Sequence, residues 1–303
     1  WCERFLESPE IQATPWLRAM VLGASGFVAL WQGRQDAALE QLQESLAITR
    51  DSKDEQWVPF LIMAIAVALI NMGEDGDAQP MLERSHKMFK EQNMAPFSAI
   101  TRIHLGNAEL GLGNIDKARA YHEEALAEAR VINENWLLSF ALNNLGEVAR
   151  TQGQFDKARK YYEECEALLR ETGDRGDVAR FVHNLGYIAQ HEEEFERADS
   201  QFRKSLTMFR RLGNRRGMAE CMAGLAGLKA RMGQIEWGAT MLSAAETVLK
   251  VTGGAWWPAD RVEVDRNREM IQAALEPDTF LCAWEKGKTM NLEQALAFAT
   301  ENE

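Results

Sequence analysis

The chain has 303 residues, of which 46% are hydrophobic and 26% charged, and this composition is typical of a folded protein. Its formal net charge of -12 argues against direct nucleic-acid binding, which needs clustered Lys and Arg to neutralise phosphates. The 4 cysteines have no CxxC spacing, which argues against a zinc site and favours a reducing, cytoplasmic setting.

A repeat with a fixed period of forty residues organises most of the chain. Its first column holds only Gly or Ala: Gly26, Ala66, Gly106, Gly146, Gly186, Ala226. Seven residues later the second column is Gly except at one position: Gly33, Gly73, Gly113, Gly153, Glu193, Gly233. A period of this length predicts an array in which each unit buries its apolar face against a neighbour.

The first residues align with the array as well. Trp1–Ser8 corresponds to residues 41–48 one period later, so residues 1–13 are predicted to be the end of a preceding repeat. Since the chain begins at Trp1 without a methionine, we expect a piece of a larger protein or a processed one. Residues 14–253 then hold six repeats of about forty residues.

Each repeat is predicted to be a helix A, a short turn and a helix B, as residues 137–176 illustrate. Apolar or small residues three and four apart predict helix A over Leu137–Thr151 and helix B over about Asp156–Thr172. Gly153 suits the turn between them, and Gly173–Gly176 ends the unit. Small residues in the first column let helix A approach its partner closely.

A third column supplies the large residue that packs between helices: Leu42, Leu82, His122, Tyr162, Phe202, Leu242. His122 is its unusual member, and we interpret it as a packing histidine rather than a ligand, because no partner cluster is visible in the sequence.

The tail, residues 254–303, is predicted to be a helical cap over the last repeat. Pro258 suits the first turn of a helix that extends to Leu275, and Pro277 begins a second helix that extends to about Glu285. Asn291 and Gln294 have the spacing of a capping box for a third helix.

These columns resemble the tetratricopeptide repeat, in which helix A carries Leu-Gly and helix B carries Ala, a large residue and a second small residue. Leu145-Gly146 matches the first pair, and Ala158, Tyr162 and Cys165 match the rest. The resemblance covers about residues 17–253. It implies an all-α, right-handed superhelical solenoid of antiparallel helix pairs, closed by the C-terminal cap.

The forty-residue period and the tail also resemble the C-terminal sensor arm of large bacterial signalling ATPases and of LuxR-type regulators such as the maltose-responsive activator. Trp257–Arg261 and Phe280–Gly287 follow the order found at the extreme C-terminus of those proteins. In that family nucleotide-binding and often DNA-binding modules lie outside the arm. This sequence has no GxxxxGK[ST] phosphate loop, so such activities are expected in other domains of a larger parent chain.

In this family the A helices line the concave face. The first two repeats place apolar residues there: Met20, Phe27, Leu30, Trp31, Phe60, Met63, Val67, Ile70. The later repeats place polar residues there, and a concave surface with convergent polar groups predicts a binding site. The predicted ligand- or partner-binding residues are His104, Asn107, Asn143, Asn144, Glu147, Arg150, Arg180, His183, Asn184, Tyr187, Gln190 and Arg231.

Alternatives stay open for several of these residues. Asn144 and Asn184 precede Leu-Gly, where Asn in this family also bonds one helix to another. Some family members clamp a peptide carboxylate with Asn and basic residues, and Asn107, Asn144 and Arg180 match three of the five places. Ile103 and Asn184 stand where the clamp needs basic residues, so the clamp is incomplete.

The sequence predicts no catalytic residue, no metal site and no cofactor. Glu192–Glu194 beside His191 is interpreted as a solvated turn between helices, and no Ser/His/Asp, Cys/His or HExxH set has a usable spacing.

We therefore predict a cytoplasmic recognition module, the effector-sensing or protein-interaction arm of a larger bacterial signalling or transcription regulator. Its concave face would bind a protein or peptide partner or a small-molecule effector, with no nucleic-acid or membrane partner. A plain protein-interaction scaffold is the alternative, and an enzyme with a site in the groove is a remote one.

Overall fold

The computed structural model describes residues 8–51, 56–172 and 178–300, which form sixteen α-helices and no strand. The chain divides into two compact units, Trp1–Asn144 and Leu145–Glu303. The segment predicted to end a preceding repeat lies in part outside the described residues, as do Cys2 and the turn at Gly173–Gly176. The all-α class and the succession of helix pairs are confirmed.

The first unit contains helices that pair as A and B in three successive repeats. Their bounds are α1 Pro9–Gln12, α2 Pro15–Trp31, α3 Gln35–Asp51, α4 Val58–Met72, α5 Asp75–Glu91, α6 Ala95–Gly111 and α7 Ile115–Ile132, and α8 Asn135–Thr151 begins in this unit. A buried apolar core lies between α2, α3 and α4, where Ala38 and Leu42 are fully buried.

The second unit contains the end of α8 with its helix B, two further A and B pairs and three C-terminal helices. Their bounds are α9 Phe155–Thr172, α10 Val178–His191, α11 Phe195–Leu212, α12 Arg215–Arg231, α13 Ile235–Val251, α14 Pro258–Ala274, α15 Pro277–Lys288 and α16 Leu292–Thr300. One core joins α10–α13 to the C-terminal helices.

The turn between helices A and B has the same backbone in every repeat. All six residues of the second column have a positive φ, from 60° at Glu193 to 90° at Gly233. This left-handed region suits glycine, because a Cβ is strained there. Glu193 occupies a backbone position that five glycines fill elsewhere, which confirms the predicted turn and shows one strained copy of it.

The first column allows the close approach of helices that the sequence predicts. A Cβ added to Gly146 would lie 2.3 Å from the Tyr162 ring, and one added to Gly106 would lie 2.5 Å from the His122 ring. His122 is fully buried, which supports its interpretation as a packing residue, and burial lowers its pKa to about 3. Each of these helix B rings therefore packs directly on the glycine in helix A of the same repeat.

A serine column adds hydrogen bonds that the sequence analysis did not anticipate. The hydroxyls of Ser45, Ser85 and Ser205 donate to backbone carbonyls twenty-six residues earlier, at distances of 2.6–2.8 Å. Each bond ties helix B to helix A of the same repeat.

Helices α15 and α16 pack on the last helix B, α13. Ser243 of α13 donates to the carbonyl of Trp284 at 2.7 Å, and the rings of Trp237 and Phe298 stack with centroids 5.2 Å apart. Asn291 and Gln294 form the expected capping box at the start of α16, with reciprocal hydrogen bonds of 2.9 and 3.0 Å.

We expect Gly146→Ala to lower the free energy of unfolding by about 1–3 kcal/mol, because the added methyl group overlaps the Tyr162 ring. Adding Tyr162→Leu should restore part of the loss, since Ala66 and Leu82 fill the same two columns in the second repeat. Urea denaturation of the two single variants and the double variant measures this coupling. If the effects of the two single variants on the free energy of unfolding simply add in the double variant, the predicted contact between Gly146 and Tyr162 is wrong.

Glu193→Gly should raise the free energy of unfolding by about 1 kcal/mol, because glycine relieves the left-handed strain at this position. Glu194→Gly is the matched control. Glu194 has a φ of -83° and gains nothing from glycine. Thermal unfolding of both variants tests the difference, and equal effects would refute the strain.

Candidate functional site

Helix α14 lies on the A-helix face of the second unit. We use this name for the surface formed by Glu147 and Arg150 of α8, Arg180, His183, Asn184 and Tyr187 of α10, and Glu220 of α12. The sequence predicts α14 to be part of a terminal cap, and that stays a prediction. In the structure α14 also places its own charged side chains among the polar side chains predicted to bind a ligand.

The carboxylate of Asp260, in the first turn of α14, is the centre of the cluster. Arg150 Nη2 donates to its Oδ1 at 2.5 Å, and Arg180 Nη1 donates to Oδ2 at 3.2 Å. His183 Nε2 also lies 3.3 Å from Oδ2. Asp260 is fully buried, so three side chains from two A helices converge on one carboxylate that water does not reach.

Trp257, immediately before α14, is recognised on both its face and its edge. The guanidinium carbons of Arg180 and Arg216 lie 5.7 and 5.1 Å from its ring centroid, within the range of a cation–π contact. Its indole N–H donates to the Glu147 carboxylate. Two cations and one acceptor therefore hold a single indole ring.

The side chains of the A-helix face also bind one another. Asn184 donates to Glu147 at 3.0 Å and accepts from Arg150 at 3.2 Å. The Arg150 guanidinium lies 4.5 Å from the centroid of the Tyr187 ring, and Arg180 forms an ion pair with Glu220 at 2.7 Å. These contacts hold each cation in place for Asp260.

Two further residues of α14 meet the A helices. His191 Nε2 lies 2.9 Å from a Glu263 carboxylate oxygen. Asn267 packs on α12 at Gly227, where an added Cβ would lie 2.0 Å from the Asn267 amide nitrogen. Gly227 therefore permits the close approach of α14, which is a role that its place in the repeat did not indicate.

The three acids of the cluster differ in whether their surroundings favour the charged form. Burial raises the pKa of Asp260, but His183, Arg150 and Arg180 outweigh it and hold the pKa well below its usual range. Burial also raises the pKa of Glu263, yet the bond from His191 and the charge of Arg150 lower it overall. For Glu147 burial prevails, and its pKa is raised despite Arg180 and Asn184.

The structure brings together Glu147, Arg150, Arg180, His183, Asn184 and Tyr187 of the twelve predicted residues. Gln190 is buried on the same helix as His183, and Arg231 is exposed in the last turn of α12. The other four lie in the first unit, where Asn107, Asn143 and Asn144 are buried. There Asn144 donates to the carbonyl of Phe140, and the His104 ring meets the Phe140 ring edge-on.

The apolar residues predicted for the first unit divide by exposure. Met20 and Trp31 on α2 are 56% and 77% exposed, whereas Met63 and Ile70 on α4 are buried. An open cleft of about 510 Å³ in this unit is lined instead by residues at the ends of α5, α6 and α7, among them Lys90, Ser98 and Val131. None of the twelve predicted residues lines that cleft.

Cys221, His183 and Asp260 lie in the order of a nucleophile, a base and an orienting acid. Cys221 Sγ is 3.6 Å from His183 Nδ1, and the other ring nitrogen faces Asp260. Burial, however, raises the pKa of the Cys221 thiol, so the reactive thiolate is disfavoured. All three side chains are fully buried, which favours a structural role.

Sequence reasoning missed the α14 side of this cluster: Trp257, Asp260, Glu263 and Asn267. A signal was present, because Asp260, Glu263 and Asn267 recur at helical spacing together with Val264 and Ile271. Polar groups on the buried stripe of a helix need partners, and the Arg and His side chains of the A helices were the available ones.

Residues 97–171 match the family model described as "Tetratricopeptide repeat". These residues are tetratricopeptide repeats. The family resemblance predicted from the repeat columns is thereby confirmed, while the narrower resemblance to LuxR-type regulators is not shown and stays a prediction. No curated protein matches the chain.

Solved structures with tetratricopeptide-like folds are similar to most of the chain. A Rap protein complexed with Competence and Sporulation Factor is 12% identical, with a TM-score of 0.70, and the match covers 94% of this chain and 78% of that one. The Rap conjugation gene regulator of plasmid pLS20, in complex with the Phr* peptide, is 16% identical, with a TM-score of 0.64 and coverage of 88% and 78%.

A signal transduction ATPase from Pyrococcus horikoshii with a tetratricopeptide repeat sensor also matches. It is 16% identical, with a TM-score of 0.55, and the match covers 98% of this chain and 46% of that protein. At these identities the similarity shows a shared fold. Within the described part of the chain, no helix has both the length and the apolarity needed to cross a membrane.

We expect Asp260→Asn to lower the free energy of unfolding by about 3–5 kcal/mol at neutral pH, because it leaves Arg150 buried without its counter-charge. Asp265→Asn on the same helix is the control. Asp265 pairs with Arg268 at the surface, and its loss should cost under about 1 kcal/mol.

The difference between Asp260→Asn and the parent chain should also depend on pH. Because the folded-state pKa of Asp260 is depressed, its carboxylate contributes fully above its ordinary pKa of about 4, and the contribution is lost as the pH falls below that value. Denaturation curves at pH 7 and in acid measure this. If the difference in free energy of unfolding between the parent chain and Asp260→Asn stays constant in acid, Asp260 is not the titrating group.

Proposed function

We propose that this chain is a non-catalytic polypeptide-recognition module and that the A-helix face of its second unit is the recognition surface. The observation that carries the proposal is the arrangement around α14. This face binds a segment of polypeptide by two side chains of that segment, the carboxylate of Asp260 and the indole ring of Trp257. A surface with such chemistry suits a segment of another protein equally well.

The comparisons support this proposal through proteins of similar fold. One Rap structure contains Competence and Sporulation Factor, another contains the Phr* peptide, and the archaeal ATPase carries a tetratricopeptide repeat sensor. We extend recognition of a peptide or protein from those proteins to this chain. We infer in addition that the chain serves as the sensing arm of a larger cytoplasmic signalling or transcription regulator.

A plain scaffold without a small-molecule effector is the alternative. A sensor and a scaffold differ in the effect of ligand binding. Binding shifts a sensor between two states, because the sensor has different affinities for its ligand in those states. A screen of metabolites and peptides by thermal shift separates them. A small molecule that raises the melting temperature favours a sensor of metabolites, and stabilisation by peptides alone favours polypeptide recognition.

The direct test is selection of short peptides from a random display library on the full chain, followed by binding measurements with the recovered peptides. We expect Arg180→Ala to weaken their binding by at least about tenfold, since a charge-assisted contact contributes about 1.5–3 kcal/mol. Arg180 is suitable because it is the partly exposed cation of the cluster, and when it is removed Arg150 and His183 remain beside Asp260 and Arg216 remains beside Glu220.

Arg197→Ala is the matched control, because Arg197 pairs only locally with Glu194 and lies about half exposed on α11. Circular dichroism of both variants verifies helicity. If no peptide is recovered, or if Arg180→Ala and Arg197→Ala bind the peptides equally, the A-helix face is not the recognition surface.

A further inference from the structure

The face of α14 that meets the A helices is unusually polar for a helix that only covers a core. Asp260, Glu263 and Asn267 are all buried on it, together with Val264 and Ile271. Burying an ion pair carries a large desolvation penalty, and apolar residues of similar size often stabilise a contact as well or better. The charges of α14 therefore specify where it binds more than how strongly it binds.

The contacts of α14 identify two chemical groups at a fixed spacing. The indole of Trp257 is held by Arg180, Arg216 and Glu147, and the carboxylate of Asp260 by Arg150, Arg180 and His183. Arg180 takes part in both sets. Because Pro258 begins the helix, the two groups are presented from a helix start, three residues apart.

The fit of α14 on this face leaves buried polar groups unsatisfied among the described residues. Asn267 of α14 is buried with neither amide atom hydrogen-bonded, and the Tyr187 hydroxyl on the face has no hydrogen-bond partner. Each such group carries a free-energy penalty that a better-matched ligand could remove. Helix α14 is therefore an imperfect occupant of this face.

The neighbouring helices α15 and α16 have attachments of their own that do not involve α14. Residues 252–257, including Gly253 and Gly254, connect α13 to α14, and Leu275 and Glu276 connect α14 to α15. Helix α15 is fixed on α13 through Ser243, and α16 is fixed through the bond of 2.9 Å from Arg203 to the carbonyl of Ala299. Movement of α14 away from the A helices would leave both of these attachments in place.

We propose that α14, with Trp257 before it, is an internal ligand of the A-helix face, and that the outside partner is a polypeptide presenting an aromatic ring three residues before a carboxylate. This inference rests on the proposed function and adds the identity of the partner's recognised groups. Binding of the partner displaces α14, so the apparent affinity is reduced by the fraction of chains in which α14 is bound.

The test uses the full chain and a labelled synthetic peptide with the sequence of residues 254–275. In the chain, Trp257→Ala with Asp260→Asn weakens the internal contact and exposes the face. We expect this variant to bind the peptide at least about tenfold more tightly than the parent chain does. A peptide carrying Asp260→Asn should lose binding to the same extent, while one carrying Asp265→Asn should not.

Trp257→Ala alone serves as a milder chain variant, because it leaves the buried carboxylate in place and should fold even if the double variant does not. Hydrogen exchange of α14 provides a second measurement on the parent chain. Saturating peptide should accelerate exchange in residues 258–274 and leave α15 unchanged. Equal binding by the parent and the folded variants, or unchanged exchange of α14 when peptide is bound, would overturn the proposal.

The outcomes also separate this inference from the proposed function. If the library yields Arg180-dependent peptides that do not compete with the 254–275 peptide, recognition stands and the internal ligand is wrong. If the 254–275 peptide binds the opened chain but the library yields nothing, α14 is an internal ligand of a face without an outside partner.

Discussion

A carboxylate held away from water requires positive charge around it, and this requirement at Asp260 organises the second unit. Arg150 and Arg180 satisfy it, His183 Nε2 lies beside the same carboxylate, and each arginine is held in turn by other groups. Asn184 and Tyr187 position Arg150, and Glu220 positions Arg180. The network is connected throughout, so its members are expected to be strongly coupled, in contrast to isolated surface ion pairs.

The repeat supplies the positions for this network, and its irregularities decide where α14 binds. The residues that face α14 are large or polar in α8 and α10, whereas α12 adds the small residues Ala223, Gly227 and Ala230 after Glu220. Small residues let a helix approach closely, as Gly227 does for Asn267. The charged columns fix the start of α14, and the small ones accommodate the rest of it.

The sequence predicted well what depends on contacts within one period. Helix A, the turn and helix B follow from spacing, glycine and pairing of a small residue with a ring, as at Gly146 and Tyr162. The position of α14 could not be predicted in this way, because Asp260 meets Arg150 across 110 residues and no period relates the two. The polar A-helix residues were identified as binding residues, but their occupant in the structure is a segment of the same chain.

A ligand that is part of the same chain, such as α14, has an advantage over a free peptide in competition for the A-helix face. Its effective concentration is of the order of millimolar for a short connection, so an outside peptide with the same contacts displaces it only when the peptide is at a comparable or higher concentration. Exchange at lower concentrations requires that the internal segment bind less well than its competitor, and the unsatisfied amide of Asn267 provides such a difference. A fully satisfied α14 would close the face permanently. The imperfect polar fit of α14 is therefore the feature that allows a covered surface to act as a recognition site.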